Sequence, residues 1–132
     1  FNTASNNNAL AAYNDFVATA KDYNNKVSDV SLLDCLAGKA ISGVLIGSSV
    51  ERYQSVVSAA TAVLSESQYY EFSHKGSVNH KDVRMALIQA YYYLGNYKEA
   101  AKHMDILDPS NAPHPTDAAL LLVAIQTISG SL

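Results

Sequence analysis

Apolar residues recur at intervals of three and four along most of the chain, and no stretch keeps the strict alternation of a half-buried strand. Six segments read as helices, so the expected fold is all-α. The first, about 8–27, puts Tyr13, Phe16, Ala20 and Tyr23 on one face and Asp15, Lys21 and Asp22 elsewhere. The second starts near Ser31, carries Leu32, Leu33, Leu36, Ala40, Ile41, Val44 and Leu45, and fades at "IGSS". Its apolar residues fall on two faces, which predicts a central helix. The third opens with a predicted capping box, Ser48 to Glu51, and turns Tyr53, Val56, Ala60 and Val63 inward. Residues 67–79 keep no period and read as a linker. The fourth segment, about 81–94, is stopped by Gly95 and Asn96, which tolerate the left-handed backbone of a helix C-terminus. The fifth runs from Tyr97 to Leu107 ahead of Pro109, and the sixth, 116–128, begins at "HPTD" and is apolar around most of its circumference.

Composition fits one folded domain over 1–132: 48% of residues are hydrophobic and 16% charged, enough apolar surface to offset chain entropy. The net charge is −3 and the nine Lys and Arg are scattered singly, so the basic stripe of a nucleic-acid binder is missing. The longest apolar run, 118–125, is too short to span a bilayer, and no transmembrane segment is expected. Cys35, the one cysteine, lies in the apolar run "SLLDCLAG" and reads as a small buried hydrophobe. The chain opens on Phe1, and seven of its ten asparagines lie in the first 25 residues. That suits a flexible tail over 1–7 following an export signal or lipid anchor. The expected home is the periplasm or cell surface, with the cytoplasm as the alternative.

Segments four and five, joined by a two-residue turn, must form an antiparallel hairpin. The inward set Tyr97, Ala100, Met104 and Leu107 recurs 44 residues earlier as Tyr53, Val56, Ala60 and Val63. Leu87, Ala90, Tyr91, Leu94, Gly95, Tyr97, Ala100 and the closing "LDPSN" resemble a tetratricopeptide repeat. Residues 31–66 resemble a degenerate second repeat, and the last helix the start of a third. Arg84 departs from the pattern, standing where the family has a large apolar or aromatic residue. A weaker likeness joins the chain to the helical core of Sus-type nutrient-binding lipoproteins, which is built from similar repeats. The resemblance implies stacked hairpins in a short superhelix of about six helices. It also implies a concave partner-binding groove at Asp82, Met85, Gln89, Tyr92 and Tyr93, with Lys39 and Ser42 from the weaker unit.

Candidate chemistry is sparse. No phosphate-binding Gly-rich loop, metalloprotease helix, Cys-x-x-Cys pair or nucleophile elbow occurs, so neither an enzyme nor a cofactor is expected. His74 and His80 with Glu71 do not have metal-ligand spacing, and His103 reads as a solvated partner of Asp105 or Glu99. The expected function is a non-enzymatic scaffold for a protein or peptide partner. The alternative is a surface lipoprotein binding a sugar or apolar molecule. The apolar last helix, 116–128, is expected to be enclosed by the N-terminal helix, or next to make a homodimer contact, or to be covered by chain beyond Leu132.

Overall fold

The computed structural model describes residues 6–21, 32–47, 49–71, 78–107 and 121. Among the described residues five helices pack together: α1 (Asn6–Lys21), α2 (Leu32–Ile46), α3 (Val50–Glu66), α4 (His80–Tyr93) and α5 (Tyr97–Leu107). Among the described residues there is no β-strand, only an isolated antiparallel bridge between Glu71 and Asn79. The all-α expectation therefore stands. Of the expected sixth helix only Leu121 is described; it is helical and packs against α4 and α5. The surface proposed for that helix lies outside the described residues. Helix α1 starts at Asn6, within the stretch 1–7 expected as a tail, whose first five residues lie outside the described residues.

Each helix packs on its neighbour in sequence, and α2 also packs on α4. Helix α2 can be approached from two sides because glycine faces each approach. A Cβ at Gly38 would stand 2.5 Å from the Phe16 ring of α1. One at Gly43 would stand 2.7 Å from Val56 Cγ2 of α3 and 3.2 Å from the Tyr13 ring. Helix α2 ends at Gly47 (φ +63°), whose N–H donates to the Gly43 carbonyl at 2.9 Å. The cap of α3 lies one residue beyond the expected Ser48: Ser49 is extended and its hydroxyl accepts from Arg52 N–H at 3.1 Å. Serine at both positions made the two starts indistinguishable by composition.

The stretch read as a linker is anchored at both ends. Tyr70 is buried, its hydroxyl donates to the buried Asp34 carboxylate at 2.6 Å, and its carbonyl accepts from His80 N–H at 2.7 Å. Burial, and then the bond to Asp34, push the Tyr70 hydroxyl well above the ordinary tyrosine range, so it stays a donor. A single inserted side chain has no period, which is why no repeat spacing marks it. Asn79 then caps α4: its side chain accepts from Lys81 N–H at 2.9 Å while Asp82 Oδ2 accepts from Asn79 N–H at 2.9 Å.

Helix α4 is buried from Val83 to Ile88 because its two sides feed two clusters. Val83, Ala86, Leu87 and Ala90 join Val56, Ala60, Val63 and Tyr70 toward α2 and α3. Met85 and Ile88 join Ala100, Met104 and Leu107 toward α5. Full burial of a side chain the size of Ile88 contributes about 1.5–3 kcal/mol. The hairpin turns where expected: Gly95 has φ +83°, its N–H donates to Tyr92 O at 3.1 Å, and Asn96 N–H donates to Tyr91 O at 2.9 Å. This pair of bonds is a Schellman closure.

Candidate functional site

Helix α4 is the floor of a trough whose walls are α3 and α5, two helices that make at most marginal contact with each other. Three cavities follow one another along it. The first, about 540 Å³, lies between Val50, Gln54, Val57 and Ser58 of α3 and Tyr91, Tyr93 and Leu94 at the end of α4. The second, about 330 Å³, continues past Thr61 and Ser65 on one wall and Glu99 and His103 on the other, over Arg84, Leu87 and Tyr91. The third, about 150 Å³, is bounded by Tyr69, His80, Lys81, Arg84 and Ile106. Tyr91 borders the first and second and Arg84 the second and third, so the three are neighbours in a row over α4. With 17 residues in α3 the wall is about 25 Å long.

The broad end is aromatic. Tyr93, 61% exposed, stacks on Tyr53 with ring centroids 5.1 Å apart. Tyr92 meets Tyr93 and Tyr97 edge-on at 5.3 and 5.7 Å. Such pairs fix ring orientation and leave an amphipathic wall.

The middle is built around a buried cation. Arg84 is only 8% exposed and its Nη1 lies 2.7 Å from His103 Nδ1. A guanidinium can only donate, so Nδ1 is the acceptor and the ring proton sits on Nε2. That nitrogen is 4.0 Å from Glu99 Oε2. Tyr91 lies over the same ring, centroids 5.8 Å apart, and hydrogen-bonds Thr61 on the opposite wall. Burial, then the Arg84 charge, hold His103 below the ordinary imidazole range, against an opposing pull from Glu99. His80 is also lowered, by burial and then by Lys81 and Arg84. The solvated role expected for His103 is corrected: its side chain is 19% exposed and carries a hydrogen bond between helices.

Because the folded chain binds protons at His103 and His80 less readily than the unfolded one, their contribution to stability is complete above about pH 6.5. It is lost as the pH falls from there toward the lowered folded values. The urea midpoint should therefore drop between pH 7.5 and pH 5, and His103→Gln should flatten that drop. An unchanged pH profile in the variant would show that His103 is not the responsive group.

The residues expected to form a concave groove do not share one open face. Asp82 is engaged in the cap of α4, and Ser42 is buried with its hydroxyl donating to Gly38 O at 2.6 Å. Met85 is buried and Tyr92 half-buried in the cluster that also holds Leu121. Lys39 and Gln89 are half-buried, and of the seven only Tyr93 lines the trough. On α4, the packing of α2 and of Leu121 takes up part of the surface where they were expected. Reading the sequence missed Arg84, His103 and Glu99 as a group. The available signal was Arg84 itself, a charge one position after the core residue Val83 and three before Leu87.

Comparison with protein-family models, curated proteins and solved structures finds no match for the chain. Among the described residues no three His, Cys, Asp or Glu side chains gather as a metal site, and no helix is long and apolar enough to cross a membrane. His74 lies outside the described residues. Cys35 is buried, and burial followed by the Asp34 charge raises its thiol pKa, which disfavours the reactive thiolate.

Proposed function

We propose that the chain is a non-enzymatic binding module that holds a peptide segment of a partner protein in the trough over α4. Its two hairpins, α2 with α3 and α4 with α5, are taken as stacked in the manner of tetratricopeptide repeats, with a sixth helix over 116–128. Support for the stacking is the packing of α2 on α4, the first helix of one hairpin on the first of the next.

The observation that carries the reading is the row of three neighbouring cavities along α4, the middle one lying between α3 and α5. A trough with a wall about 25 Å long matches about seven or eight extended residues. The broad end offers apolar and aromatic contact at Val50, Val57, Tyr91 and Tyr93, where buried side chains supply most of the affinity of a peptide. A small ligand fits less well, since Val50 and Tyr93 are each more than half exposed and leave the cavity open along the trough.

The test is selection of random twelve-residue peptides on the immobilised chain, followed by affinity measurement with trough variants. Ser58→Trp, at an exposed position of the broad end, should weaken a selected peptide about tenfold or more, as should Tyr93→Ala. Asp105→Trp, exposed and outside the cavities, should not. Peptides that bind all three variants equally would place recognition elsewhere and overturn the reading.

A further inference from the structure

We infer that the trough selects a peptide carrying an acidic side chain, whose carboxylate docks on Arg84 in the middle cavity. This inference rests on the peptide-binding reading above and names the chemistry of its central contact.

Arg84 is a buried charge in a cavity whose one carboxylate among the described lining residues, Glu99, lies toward the far nitrogen of His103 and not against the guanidinium. Its one hydrogen bond among the described residues goes to His103, whose Nδ1 is a neutral acceptor, and no carboxylate lies within ion-pair distance of it there. A guanidinium has five N–H donors in a planar fork. No described side-chain nitrogen is both sealed from solvent and unbonded, so Nε and Nη2 of Arg84, which bond nothing among the described residues, keep contact with solvent at a residue that lines two of the cavities. A buried charge is retained at a cost that an apolar residue of similar volume would avoid. An arriving carboxylate recovers that cost, because two parallel N–H···O bonds fit the fork and are stronger than bonds between neutral groups.

The surroundings match one negative charge in particular. Glu99 lines the same 330 Å³ cavity and would repel a doubly charged phosphate more than a carboxylate. Lys81 edges the adjoining cavity and extends the positive side of the trough. The cavity at Arg84 has a neighbour on either side, one of 540 Å³ and one of 150 Å³, which leaves room for chain before and after the docked side chain. That arrangement favours an Asp or Glu side chain within a segment over a terminal carboxylate.

The experiment uses the whole chain, labelled with nitrogen-15, and three probes: N-acetyl-glutamate N′-methylamide, its neutral glutamine counterpart, and N-acetyl-alanine with a free terminal carboxylate. The glutamate probe should shift the Arg84 Nε–H resonance and the amides of Tyr91 and Glu99, and bind at least tenfold more tightly than the glutamine probe. N-acetyl-alanine binding as tightly as the glutamate probe would reassign the site to chain ends. Arg84→Met should abolish the difference between glutamate and glutamine, and Arg84→Lys should keep part of it. Should Arg84→Met fail to fold, the wild-type comparison and Arg84→Lys still decide. Equal affinity for glutamate and glutamine, or no binding of either, overturns the carboxylate inference. Peptides selected on the trough would in that event keep their affinity when each Asp and Glu is changed to the amide, and the peptide-binding reading would survive.

Discussion

Gly43→Leu is expected to cost more than about 3 kcal/mol and to lower the melting temperature by about 10 °C or more. A Cβ alone at this position meets Val56 Cγ2 at 2.7 Å and the Tyr13 ring at 3.2 Å. Val56 is fully buried and its β-branched side chain has little rotamer freedom, so it cannot swing aside. Alanine would recover about 0.5–1 kcal/mol of helix propensity against a similar or larger overpacking cost. Leucine adds three more carbons to the same gap, so α2 must part from α1, α3 or both. Thermal unfolding followed by circular dichroism reads the effect. Gly95→Ala is the matched control: it has open space around it and only a left-handed backbone to strain, for about 1–2 kcal/mol. A variant at Gly43 that melts like the parent would mean the helices do not approach so closely.

The second large effect is expected from Ile88→Ala, at about 2–5 kcal/mol. Ile88 is fully buried between α4 and α5 beside Met85, Ala100 and Met104. Removing three carbons leaves a gap that the two methionines can fill only in part, since collapse is limited by the close α4–α5 turn. Urea unfolding should show a lower midpoint with an unchanged slope. A loss below about 1 kcal/mol would mean that the methionines relax into the space and that this cluster is not tightly packed.

Much of the architecture was legible because it depends on residues close in sequence. The stop at Gly95 and Asn96, the inward set Ala100, Met104 and Leu107, and the central place of α2 all follow from spacing and from glycine's freedom at positive φ. The site was legible only in part. Tyr93 was expected and lines the trough, whereas Ser42, Met85 and Asp82 are taken up by the fold. Which side of α4 is open depends on where α2 and Leu121 pack, and no local period encodes that. Arg84 and His103 meet over 19 residues, and Tyr70 and Asp34 over 36. Each pair reads, in the linear chain, as two unrelated polar residues.

The order of packing, each helix on the next along the chain, bears on how the molecule assembles. Contacts between sequence neighbours close short loops, whose entropy is small, so folding needs few distant encounters and should be fast. Such a linear arrangement also opens in sections, and loss of α1 from one flank of α2 need not reach the α4–α5 hairpin. The Tyr70 to Asp34 bond is then a brace across that order, tying the exit of α3 to the first turn of α2. It makes those two helices open and close as one unit, so the α3 wall of the trough is held by a clasp outside the trough itself.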